Sequence, residues 1–231
     1  MWEPSSLSQG IWGGTLAPPF TTLPDQDTGS SASITRTNPT FLPDDFLTSW
    51  LPIFLIRHPA LVFESWYRAE SRAGSVDLLD KSWAYITTFR YSRELYDWFV
   101  ANDPNFMCRE EKSAGIKHPS KPIVIDADDI IEEGSLNKLC ELCNMHAPFI
   151  RYEWEVTRPL EDGRHSPRCL SYMSGLWSST SIDKSKTSRG INMATKYNQW
   201  KEEFGTAVAD ALHTLVENAM LDYSYLKSKQ I

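Results

Sequence analysis

From residue 44 onward, short unbroken apolar runs alternate with longer stretches in which apolar residues recur every three or four positions. "PIFLI", 52–56, is continuous and bounded by Pro52 and Arg57, the pattern of a strand covered on both faces. Pro59 stands where a first-turn proline belongs and opens a helix to about Ala73. A long amphipathic helix is expected over 77–101, with Trp83, Ile86, Phe89, Leu95, Trp98 and Phe99 on its apolar side. "KPIVIDADDI" reads as a second buried strand, ending in acids that cap the next helix, expected over 135–145. The pattern is irregular over 147–165. "SPRCLSYMSGLW" is then a short helix, "SSTSIDKSKTSRGINMAT" a polar loop, and 195–218 a final amphipathic helix ending before "DYSYL". "LPDDFLTSW" is an acidic cap with a short helix. Strand, helix, strand, helix implies parallel strands joined by right-handed crossovers, so the fold class is α/β, a small parallel sheet flanked by helices. Strands near 52–57 and 122–126 should be adjacent or one apart.

Residues 1–43 break this periodicity. They are rich in Pro, Gly, Ser and Thr, and read as an extended segment whose Trp2, Ile11, Trp12 and Phe20 clamp onto an α/β domain at 44–231, with a loop over 22–40. "GIWGG" has no lysine, no preceding strand and no following helix, so it is a turn and not a phosphate loop. A net charge of −7 without a basic stripe excludes the usual nucleic-acid binders. No apolar run approaches the roughly 18 residues of a membrane span, and the N-terminus lacks the basic and apolar regions of a secretory signal.

The four cysteines, Cys108, Cys140, Cys143 and Cys169, are too scattered for a disulfide framework and fit a reduced, cytoplasmic protein. Cys140, Cys143 and His146 have a metal-like spacing, but Leu136, Leu139, Cys140 and Cys143 share one helical face and no second ligand pair is nearby. They are read as buried thiols. His118, His146, His165 and His213 have no partner spacing, and "LEDGRHSPR" is a turn.

A strand that ends in arginine and feeds a helix builds an anion site, because the helix N-terminus brings unpaired N–H groups and partial positive charge. Arg57 adds a forked donor there, and Ser65, two turns into the helix, offers a hydroxyl. The competing reading pairs Arg57 with Asp126 or Asp128 and leaves Ser65 a bystander. The acids of "DADD" (Asp126, Asp128, Asp129) sit at a strand's C-terminal end, where α/β ligand sites gather. Capping and pairing explain them better than Mg²⁺ does.

"PIFLIRHPALVFESWYR" resembles the 3′-phosphate-binding strand and helix of the sulfotransferase family, whose arginine and serine are also eight apart. "KPIVIDADDIIEEGSLNKLCELCNM" is similar to the later strand and helix of fungal sulfotransferase-like proteins. "TSRGINMATKYNQWKEEFG" is a looser counterpart of the family's C-terminal motif, through Arg189, Gly190, Trp200, Lys201 and Phe204, with a longer spacing from Gly190 to Trp200. The resemblance spans roughly residues 44–226. It implies PAPS as sulfuryl donor, but that family also has an early strand leading into a glycine- and lysine-containing loop for the donor's 5′ end, and a general-base histidine. No such unit precedes Pro52 and no histidine precedes His58.

The sequence therefore points first to a biosynthetic enzyme that kept the pocket and lost the donor. It would act without a cofactor, folding a small apolar substrate, a terpenoid or polyketide, for intramolecular cyclisation, the pericyclic (Diels–Alder type) kind included. Arg57, His58 and Ser65 would polarise a substrate oxygen, with Trp66, Tyr67, Trp83 and Trp177 as walls and no metal. A PAPS-dependent sulfotransferase with a rearranged 5′ site and a non-catalytic binding module are the alternatives. Loss of a strand–helix unit would uncover a sheet flank, which implies a homodimer burying it.

Overall fold

A computed structural model of the chain describes residues 37–78, 80–103, 119, 121–131, 133–157 and 165–231. The expectations for residues 1–36, with Trp2, Ile11, Trp12 and Phe20, lie outside the described residues, as do Cys108, His118 and Gly163. The chain divides into two compact units, Met1–Trp50 and Leu51–Ile231.

In the first unit, Asp44–Thr48 forms a short helix, α1, preceded by Pro43 with no side-chain cap. The acidic cap expected there is used differently. Asp44 reaches upstream to accept the Thr37 N–H at 2.8 Å and the Asn38 Nδ2–H at 2.5 Å. Burial opposes ionisation of Asp44, but these bonds outweigh it and hold its carboxyl below the usual carboxylate range.

The second unit is mostly helical around a two-stranded parallel sheet. Strand β1, Ile53–Ile56, pairs with β2, Ile123–Asp126, in the register Ile53 with Ile123 through Ile56 with Asp126. The adjacency read from the sequence holds. Coverage of β1 on both faces does not: Phe54 and Ile56 turn inward, while Ile53 is 45% and Leu55 61% exposed. β2 is buried throughout. Phe54 lies edge-on to Tyr96 and Phe99, so the inner face of β1 is filled by one aromatic layer and its outer face by nothing among the described residues.

Helix α2, Pro59–Ala73, has the predicted bounds. The single helix expected over 77–101 is instead a 3₁₀ turn, Lys81–Tyr85, and a helix α3, Arg90–Asn102. Two adjacent threonines make the break. Thr87 Oγ1 donates to the Trp83 carbonyl at 2.7 Å, and Thr88 Oγ1 accepts the Arg90 N–H at 3.1 Å, so local side-chain bonds displace helical ones. After β2 come α4, Ala127–Ile131, and α5, Glu133–Leu142, close to the predicted helix. The irregular stretch carries a 3₁₀ turn, Ala147–Phe149, and Glu153 bridges to Ser181. Helix α6, Pro167–Trp177, starts at a Ser166 cap, as "SPRCLSYMSGLW" suggested.

The final helix is two helices, α7, Met193–Phe204, and α8, Thr206–Lys227, and the second runs through "DYSYL" to Lys227. Gly205, at φ 89° and ψ 163°, separates them in backbone space that only glycine enters readily. The turn lets α7 and α8 fold together with α2 around Phe63, Trp200, Leu212 and Val216. A second cluster, Ile56, Tyr96, Val124, Tyr223 and Leu226, joins α3 and the end of α8 to the sheet.

Two glycines separate backbone strain from space. Gly205 and Gly74 both have open room where a Cβ would stand, but Gly74, at φ 176°, is extended backbone that any residue adopts. Gly205→Ala should destabilise the protein by about 1–3 kcal/mol in urea denaturation. Gly74→Ala should be neutral or mildly stabilising.

Candidate functional site

The site forms where both strands end. Arg57 follows β1, and its Nη2 donates to the Lys186 carbonyl at 2.9 Å, from the polar loop ahead of α7. Its Nε is buried without a partner. The pairing of Arg57 with Asp126 or Asp128 does not occur, because both acids are engaged elsewhere. Asp128 accepts the Ser188 N–H at 2.9 Å and the Ser188 hydroxyl at 2.5 Å. Burial works against that carboxylate's charge, yet the Ser188 bonds win and its pKa lies below the usual range. Asp128 and Arg57 thus grip the 186–188 stretch from two sides and place "SRG" beside the strand ends.

Asp126 is 0% exposed. It accepts the Tyr223 hydroxyl at 2.7 Å, the Lys227 ammonium at 3.1 Å and the Asp128 N–H at 3.0 Å. Lys227 also donates to the Tyr223 oxygen at 3.1 Å. Burial, and then the bond to Asp126, push the Tyr223 hydroxyl up to about 12, which keeps it a donor. The C-terminal turn of α8 therefore supplies both the cation and the hydroxyl that satisfy the strand-end carboxylate. Sequence reading missed this pair. Its only trace was the i, i+4 spacing of Tyr223 and Lys227 in a segment judged to lie beyond the last helix.

His58 is buried, and its ring lies edge-on to Tyr223 with centroids 5.4 Å apart. Its Nδ1 accepts the Ala60 N–H at 3.2 Å and so caps α2. Burial first, then the nearby Lys227 charge, depress its pKa, against smaller opposing effects of Asp126 and Asp128. This arrangement corrects one expectation about the helix N-terminus. Pro59 has no N–H, Ala60 is capped by His58, and the Leu61 and Val62 N–H groups both point at the His58 carbonyl, at 3.0 and 3.2 Å. The first turn of α2 thus offers field rather than free donors. An anion here would be held by Arg57 and the 186–190 loop, where Gly190 turns at φ 70°.

Ser65 is exposed on α2. Among the named aromatics, the structure brings Trp66 and Trp83 together, with rings 4.9 Å apart and both indole N–H groups buried without partners. Tyr67 instead packs edge-on to Phe204 at 5.0 Å, and Trp177 rests on His165 at 5.1 Å. The expected wall is three separate pairs. Two acids on α2, half-buried Glu64 and buried Glu70, fasten its neighbours. Glu64 accepts from Lys196 at 2.7 Å and from the Trp200 indole at 3.1 Å on α7, and from Arg68. Glu70 accepts from Arg168 at 2.6 Å and Tyr172 at 2.5 Å on α6. Cys140 is buried on α5, and Cys143, just past its end, is half-buried; burial, then Cys140 beside it, push the Cys143 thiol up. Among the described residues no group of three His, Cys, Asp or Glu is arranged to hold a metal, and no helix is long and apolar enough to cross a membrane.

Over 199 residues, 85% of its length, the chain is 39% identical to "Sulfotransferase ppzF" of Metarhizium majus (strain ARSEF 297). Identity and coverage are the same for "Sulfotransferase ppzF" of Metarhizium rileyi (strain RCEF 4871). The chain spans 57% of the length of these curated relatives. No protein-family profile and no solved structure matches it. The relatives support a sulfotransferase-like family.

His58 sets a pH test. Its folded pKa lies below the ordinary 6.5, so just below that pH the unfolded chain binds the extra proton. Stability is then complete above 6.5 and falls as pH drops through it. Urea midpoints for the wild type should decrease between pH 7 and pH 5.5. His58→Asn keeps a capping acceptor without an ionisable ring and should flatten that slope.

Proposed function

Taking a sulfotransferase-like family as the premise, we propose that this chain binds the 3′-phosphate end of PAPS and serves sulfuryl transfer to a small biosynthetic acceptor. The observation that carries the reading is Arg57. It is a cation at the carboxyl end of a parallel strand with no ion pair among the described residues, and its Nε is buried and orphaned. The two carboxylates at the end of β2 and the start of α4, Asp126 and Asp128, are satisfied by Tyr223 with Lys227 and by Ser188. A phosphate dianion fits such a site, since it supplies both the missing acceptor and the missing charge.

PAPS, when bound, supplies an activated sulfuryl group for transfer to a nucleophilic oxygen or nitrogen. The chain's own residues have narrower tasks. Arg57 would fork onto phosphate oxygens. Asp128, through Ser188, keeps the Arg189–Gly190 backbone next to it. Neutral His58 caps α2 without adding a charge that titrates near neutrality. The half-buried Trp66–Trp83 pair, whose two indole N–H groups are buried without partners, is the apolar element against which we place the acceptor. Among the described residues neither strand runs into a glycine–lysine loop: β1 feeds "RHP" and β2 feeds "ADD". The donor's 5′ end is therefore assigned to residues other than these. A cofactor-free cyclisation draws on the same Trp66–Trp83 surface, but leaves the Arg57 charge without a use.

Calorimetry with PAP, the desulfated donor product, tests the reading. The wild type should bind, and Arg57→Ala should weaken binding about 10- to 150-fold, the loss of roughly 1.5–3 kcal/mol for a charge-assisted bond. Incubation with pathway intermediates then separates the classes. Sulfated product that requires PAPS supports the transferase; cyclised product formed without it replaces that reading with the cyclase. Neither PAP binding nor product leaves a binding module.

We also assign the outer face of β1, with Leu51, Ile53 and Leu55 exposed, to a second copy of the chain. Light scattering should give a dimer at micromolar concentration, and Leu55→Lys should dissociate it. A strict monomer rejects the homodimer.

A further inference from the structure

Away from the strand ends, α6 pairs a nucleophile with a base. Cys169 Sγ lies 3.7 Å from His165 Nδ1, within reach of an S–H···N contact. Ser166 Oγ accepts the Cys169 N–H at 3.2 Å, which fixes the cysteine in the first turn, where the helix field favours negative charge. The His165 ring also meets the Trp177 indole, with centroids 5.1 Å apart, so the imidazole has an aromatic neighbour as well as the thiol. Both Cys169 and His165 are half-buried, reachable but partly screened from water. Arg168, next in the chain, keeps half its side chain exposed while pairing with Glu70. Among the described residues Cys140 and Cys143 have no such neighbour: one is buried, and burial holds the other's thiol up.

We infer that Cys169 is a reactive thiol, with His165 as its base, that forms mixed disulfides with small anionic disulfides. The sulfur of Cys169 bonds to one sulfur of the disulfide, and the original S–S bond breaks. The departing half leaves as a thiolate. The cysteine proton passes to His165 and from there to the leaving group or water. The disulfide is the oxidant, and one of its halves is reduced to a thiol as Cys169 is oxidised. Negative charge on the reagent is favoured by the start of α6, by Arg168 and by protonated His165 once the step has begun. This site stands apart from the phosphate reading and does not depend on it.

The full chain treated with the dianionic aromatic disulfide DTNB at neutral pH provides the test, with released thiolate followed by absorbance and the labelled cysteine mapped by peptide mass spectrometry. Cys169 should be labelled first, and faster in the native protein than in the guanidinium-denatured chain. His165→Gln should slow Cys169 labelling by at least about tenfold, a modest share of what a positioned base contributes, and leave Cys143 unchanged. A neutral disulfide should show a smaller native-over-denatured advantage than DTNB. First labelling at another cysteine overturns the inference, and so does an unchanged rate in His165→Gln. Slower reaction of Cys169 in the native wild type than in its denatured form does the same without any variant.

Discussion

A carboxylate removed from water at the end of β2 constrains much of this unit. Asp126 has no exposed surface, and a charge in that position is tolerated only if hydrogen-bonded and matched. Meeting that demand takes Tyr223 and Lys227, more than ninety residues further along the chain. α8 must therefore run to Lys227, with Tyr223 and Leu226 packed on the sheet beside Ile56 and Val124. The same packing sets the His58 ring against Tyr223. Removing one partner would leave a buried charge short of a bond, a larger loss than the pair contributes on balance.

α2 is the element on which α6, α7 and α8 assemble. One of its faces buries Ala60 and Phe63 against α7 and α8. Glu64 and Glu70, six residues apart, project toward different helices and bind α7 and α6. Burial would favour the neutral form of Glu64, but bonds from Lys196, Arg68 and Trp200 overcome it and hold its pKa low. Since α2 also begins at His58, directly after Arg57, its position aims the strand-end cation. The element that carries Arg57 at its start is thus fastened to α7 and α6 through Glu64 and Glu70, and to α8 by apolar packing.

With Asp126 and Asp128 satisfied, Arg57 is left with a carbonyl at one nitrogen and nothing at Nε. The helix N-terminus, which a sequence argument takes as the anion's main donor set, is closed by its own cap. The charge of one arginine and the backbone of the 186–190 loop remain.

The α/β class, the parallel pairing of 53–56 with 123–126 and the bounds of α2 were legible because they rest on simple rules: unbroken apolar runs, a first-turn proline and a helix between parallel strands. The place of Arg57 was legible for the same reason, since it stands where a strand meets a helix. Local rules failed where two of them compete. Thr87 and Thr88 divert backbone bonds within an apolar periodicity that reads as one helix, and Gly205 cuts another without disturbing its period. What only the tertiary structure decided is which charges meet. Asp128 finds Ser188 sixty residues on, Asp126 finds Lys227, and Arg57 finds no carboxylate among the described residues, because pairing across such separations depends on three-dimensional packing and has no period in the sequence.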